Sequence, residues 1–209
     1  MGEQNEAVAD TTAMSTVSAA AAALATPGPG PAAGAAAAMT AALAAGLAGK
    51  VAHSAGEQDT VEELARLRVT TLHLADQDTA AFTSYLAARR AARTTPDTPD
   101  TAEGADGPDR AERDRVDTDY AAACHAIVEV PLTIAESAAR MLTLVAGLKE
   151  AVPPALDADA ATASTLATAA ARSAAAIVRA NIGQGNAPGR DRIEALIDQV
   201  ERLGDRSVS

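Results

Sequence analysis

Apolar and polar positions recur with helical spacing along most of this chain, and prolines mark where one run stops and the next begins. Residues 10–25 form a first apolar run that ends at the prolines at 27, 29 and 31, because proline lacks a backbone donor and clashes with the preceding turn. The next run, 32–54, is apolar nearly all round, the pattern of a central helix surrounded by others. Thr60 with Glu63 reads as a capping box opening a long amphipathic helix to Arg93, in which Leu64, Leu67, Leu72, Leu74, Ala81, Phe82, Tyr85 and Leu86 recur near helical spacing. Residues 94–110 are mostly Pro, Asp, Thr and Gly with nothing to bury, and read as a mobile acidic loop. A helix follows up to Pro131, which either kinks it or starts a new one. A further run opens with Asp157 and Asp159, carboxylates that suit a helix N-terminus, and reaches a glycine stop at Gly183. The last, 189–203, is a short amphipathic helix able to cover a neighbour or a second subunit. This pattern predicts an all-α bundle of six to seven helices in one domain spanning 1–209, with 94–110 a loop inside it.

Composition sharpens the picture. Only Phe82, Tyr85 and Tyr120 are aromatic, so the core must be built from Ala, Leu, Val and Ile, small side chains that let helices approach closely. A net charge of -11 with no dense Lys/Arg cluster lacks the electrostatic footprint of a nucleic-acid binder. Cys124 is the single cysteine, which excludes an intramolecular disulfide. Glu3, Glu6 and Asp10 stand where a signal peptide would carry basic residues, so the expected location is cytoplasmic. Residues 32–49 run 18 positions without a charge, the length of a membrane span. Alanine and glycine contribute little to insertion and no basic cluster sets an orientation, so the stretch reads as a buried helix of a soluble protein with no membrane partner.

Candidate chemistry is sparse. In "TPGPGP" the amides of Gly28 and Gly30, with the start of the next helix, make either a small anion or carbonyl site or a rigid connector. Asp159 suits a general base or the counter-charge to a cationic amidine, and equally an N-cap. Asp78, with Asp76 and His73 nearby, suits either a site or a solvated face. Cys124 and His125 are adjacent on a helix and point about 100° apart, which rules out a nucleophile–base pair between them. No His or Cys spacing suggests a metal. Arg172 and Arg179, seven apart, share a face that can hold a ligand carboxylate, a partner's acid or only solvent.

Four stretches, in order along most of the chain, resemble the cyclodeaminase/cyclohydrolase family, whose domain handles formimino- and methenyl-tetrahydrofolate. Pro27 to Ala33 is similar to that family's Pro-Gly-Gly-Gly-Ser loop, and "DTAAF" (78–82) to its Asp-x-x-Ala-Phe. "EVPLTIAE" (129–136) is similar to Val-Pro-Leu-x-Ile-Ala, and Asp159, Arg172, Val178 and Asn181 fall at the spacing of its aspartate-led helix. The resemblance implies an all-α homodimer acting on a one-carbon tetrahydrofolate derivative as substrate, with no other cofactor and no metal, in a cleft between helices at the subunit interface. It implies Asp159 and Asp78 as catalytic residues and Gly28, Gly30, Ala32, Ala33, Arg172 and Asn181 as substrate-binding ones. The departures are Pro29 and Pro31, which remove two backbone donors and a hydroxyl, Ala158 in place of a serine, and Ala176 and Ile177 where an asparagine is lost. "HSAGEQD" (53–59) offers His53 and Glu57 where lysines would follow the loop helix. Two other readings stand beside this one: the cleft re-used for a different cyclisation or hydrolysis in specialised metabolism, and a catalytically silent helical dimer that binds a partner.

Overall fold

The structure, a computed structural model, describes residues 16–28, 30–94, 108–148, 151–182 and 190–208. Among these residues there are six α-helices, a 3₁₀ turn and no strand: α1 (Thr16–Ala25), α2 (Ala33–Ser54), α3 (Gln58–Thr94), α4 (Pro108–Gly147), the turn Pro154–Leu156, α5 (Asp157–Ile182) and α6 (Arg190–Val208). The expected start of the first helix and most of the acidic segment 94–110 lie outside the described residues.

α2 runs through the middle, packed against α3, α4 and α5. It is long and apolar enough to cross a membrane, yet over half of its apolar window is buried against its neighbours, as a core helix would be. Its contact surface is nearly all alanine: Ala41, Ala44, Ala45, Ala48 and Ala52 with Val51 meet Ala138, Ala139, Met141, Leu142 and Val145 of α4 and Ala163, Ala167, Ala170 and Ala171 of α5. A methyl group reaches little distance, so these helices hold together through close backbone approach and dense packing rather than large interdigitating side chains. α6 covers neighbours within the chain: Ile193 and Val200 are buried, and Leu196 packs against all three apolar clusters of the core.

Two details differ from the sequence reading, and one choice it left open is decided. Gly56, in the left-handed region at φ 79°, turns the chain out of α2, and the Val61 amide donates to the Glu57 carbonyl, so α3 begins before Thr60 and the capping box is not at the cap. Glu63 instead accepts two hydrogen bonds from Arg140 of α4, at 2.6 and 2.9 Å. Of the two roles open to Pro131, starting a new helix is excluded: it sits buried inside the continuous 40-residue α4. Leu72, Phe82 and Leu86 are exposed: Leu72 lies on the outer face of α3, and from Phe82 onward α3 outruns the layers that would bury it. None of the residues 82–94 of α3 or 110–122 of α4 is buried, and these two segments meet through stacked Tyr85 and Tyr120 rings, 6.1 Å apart.

Candidate functional site

The first turn of α2 decides the local chemistry. Ala32 occupies its N-cap position and offers no side-chain acceptor, and the first turn carries no acidic residue of its own. Asp78, reaching over from α3, accepts the hydrogen bond of the Ala35 amide and so supplies a cap from another helix. Gly34 makes this possible: a Cβ there would collide with the whole Asp78 carboxyl group. Burial holds the Asp78 carboxyl above the ordinary carboxylate range, and the Ala35 hydrogen bond only partly offsets that. A carboxyl group so placed exchanges its proton closer to neutral pH than a solvated one.

Asp78 lines a recess of about 180 Å³ together with Ala32, Ala33, Gly34, Phe82, Ile127, Ile177 and Asn181, drawn from α2, α3, α4 and α5. On the other side of the same turn of α2 lies a groove of about 580 Å³, floored by Pro31, Ala35, Met39, Ala75 and Asp76 and walled by Ala20 and Ala23 of α1. The loop that feeds α2 carries Gly28 at φ 122°, a conformation that favours glycine, and leads through Pro31 into the groove and through Ala32 and Ala33 into the recess. Of the residues singled out in the sequence, Asp78, Ala32, Ala33 and Asn181 thus share one recess, and Gly28 and Gly30 lie in the loop leading to it.

The fold and this site can be set beside known proteins. A family model described as formiminotransferase-cyclodeaminase matches residues 16–187. The chain belongs to that family. No curated protein matches it. Among solved structures, the formiminotetrahydrofolate cyclodeaminase of Thermotoga maritima is similar in fold, with a TM-score of 0.68 at 19% identity, over 88% of this chain and 89% of that one.

Within this cyclodeaminase-family chain the other two motif residues lie elsewhere. Asp159, in the first turn of α5, forms an ion pair with Lys50 of α2 at 2.5 Å, both side chains partly exposed. Lys50 lies sixteen positions beyond Gly34 on α2, about 24 Å along the axis, so Asp159 and Asp78 occupy opposite ends of the central helix. Arg172 is exposed on α5 and is not among the residues around the recess. Lys50 went unnoticed in the sequence because its partner is 109 positions away. Phe82, read there as core, is 42% exposed and forms part of the recess wall. Among the described residues, no three His, Cys, Asp or Glu side chains gather as metal ligands would.

Proposed function

We propose that this chain is a cyclodeaminase/cyclohydrolase-like enzyme that binds a one-carbon tetrahydrofolate derivative at the N-terminal end of α2 and uses Asp78 to move the proton. One observation carries the reading: a carboxyl group raised above its ordinary range by burial stands in a recess with three other residues that the family motifs single out. The recess suits the reacting one-carbon head of the substrate, and the larger groove across the same turn suits the rest of an extended molecule.

In the hydrolytic reaction water adds to the methenyl carbon, its first proton passes to the Asp78 carboxylate, and the carboxyl group returns that proton to the ring nitrogen as the carbon–nitrogen bond opens, while the remaining hydroxyl proton is released to solvent as the formyl carbonyl forms. In the deaminating direction the free amine of the folate closes on the formimino carbon, and ammonia leaves with the proton delivered by the same group. The negative carboxylate also stabilises the cationic amidine through which both reactions pass. Asp159, already neutralised by Lys50, serves the fold in this scheme. The proposed enzyme is cytoplasmic and a homodimer, the second state supported by exposed Leu43, Val69 and Leu72 on the outer faces of α2 and α3.

The test is turnover of methenyl-tetrahydrofolate and of formimino-tetrahydrofolate by the purified protein beside Asp78→Asn. Turnover lost in the variant supports the reading. A folded protein that turns over neither substrate refutes it, and favours the re-used or silent cleft for which the loop prolines Pro29 and Pro31 already argue.

A further inference from the structure

Pro131 has no N–H to donate to the carbonyl four residues back in α4, which is that of Ile127. That carbonyl is not left bare. The Asn181 side-chain amide of α5 donates to it at 2.6 Å, across 54 positions of sequence. Ile127 and Asn181 both line the recess, so this bond forms part of its wall. A carbonyl oxygen can only accept and the carboxamide donates only through its NH2, which fixes its two ends: Nδ2 is committed to the α4 backbone, and Oδ1 is the end left to accept.

Building on the recess as the substrate site, we infer that Asn181 is a positioning residue: clasped over the proline break in α4, it is held with its Oδ1 as an acceptor for an N–H donor of the molecule bound beside Asp78. An amidine or amine N–H meets a complementary partner there, whereas a carbonyl in the same place meets a second acceptor and is rejected. The proline and the asparagine are then one device, in which deleting a backbone donor from α4 recruits a side chain from α5 and fixes it at the site.

The test is a double-mutant cycle of Pro131→Ala and Asn181→Ala, read by thermal unfolding and by the affinity of tetrahydrofolate, whose N5–H and N10–H are donors and which carries no one-carbon carbonyl. The Pro131→Ala substitution restores an N–H for the Ile127 carbonyl, so neither that variant nor the double variant leaves that carbonyl without a donor, and both fold. Asn181→Ala lowers the midpoint by about 2–4 °C in the native background and by less than half as much in the Pro131→Ala background. Pro131→Ala, with Asn181 intact but released, weakens the probe about 2- to 10-fold, a loss that a merely structural role would not produce. Equal costs of Asn181→Ala in both backgrounds overturn the clasp. Coupling in stability with unchanged probe affinity in Pro131→Ala overturns the positioning role. No binding by the wild type removes the substrate-site reading and the positioning role with it, and is told apart from the other outcomes by the wild-type titration alone.

Discussion

Replacing Gly34 by alanine reverses the usual rule for glycine in a helix. In an unobstructed helix interior, Gly→Ala stabilises by roughly 0.5–1 kcal/mol, through backbone entropy and helix propensity. Gly49 of the same helix offers that control, since a Cβ there meets nothing within 4 Å. At Gly34 the new methyl group lands on the Asp78 carboxyl, which must swing away. Overpacking of this kind costs roughly 1–3 kcal/mol. Loss of the Asp78 cap on the Ala35 amide adds roughly 1 kcal/mol more. Subtracting the propensity gain leaves Gly34→Ala destabilised by roughly 1–3 kcal/mol, a fall in Tm of about 2–12 °C. Gly49→Ala should raise Tm by about 1–4 °C. Differential scanning calorimetry of both variants reads the contrast directly, and Gly34→Ala made in the Asp78→Ala background, where the clash is gone, should recover most of the propensity gain relative to Asp78→Ala alone. A Gly34→Ala protein as stable as Gly49→Ala would refute the close approach on which the cap, and the placement of Asp78, depend.

Other consequences follow from the same geometry. The raised pKa of Asp78 means that the folded chain holds that proton more tightly than the unfolded one, so stability falls as pH rises from the ordinary aspartate value through the raised one. Asp78→Asn, which keeps an acceptor for Ala35, should therefore unfold at a higher temperature than wild type at pH 7, with the gap closing below about pH 3.8; a gap independent of pH would refute the burial argument. Glu63 is the opposite case: its hydrogen bonds from Arg140 hold it below the ordinary range, so its contribution is present above about pH 4.5 and lost as pH falls through the depressed value. Glu63→Gln should lose less than about 1 kcal/mol at pH 7 in denaturant unfolding, because the pair is largely solvated, and match wild type at strongly acid pH. Ala167→Leu, on the alanine seam facing α2, should cost roughly 1–3 kcal/mol by overpacking, and a neutral result would mean that the helices can move apart.

What the sequence made legible was local. The prolines before α2, the all-round apolarity of α2 and the carboxylates opening α5 each act within a few residues, and the helices follow them. What stayed hidden depends on partners far along the chain. Pro131 reads as either a kink or a start, and α4 continues through it with Asn181, 54 positions away, donating to the carbonyl the proline leaves free. From the sequence Asp159 is the stronger candidate and Asp78 suits a solvated face, and only the packing reverses that order: Asp78 is half-buried against Gly34, whereas Asp159 meets Lys50 in the open. The capping box at Thr60 failed because Gly56 completes its turn early enough for α3 to start at Gln58.

The central claim is that the substrate site lies at Asp78 and not at Asp159. The measurement that tests it most directly is calorimetric titration of the wild type, Asp78→Asn and Asp159→Asn with tetrahydrofolate. The account predicts binding by the wild type, binding weakened at least tenfold in Asp78→Asn, a loss of roughly 1.4 kcal/mol, and binding unchanged in Asp159→Asn. Binding that survives in Asp78→Asn and is lost in Asp159→Asn would contradict it and move the site to the Lys50 end of the central helix.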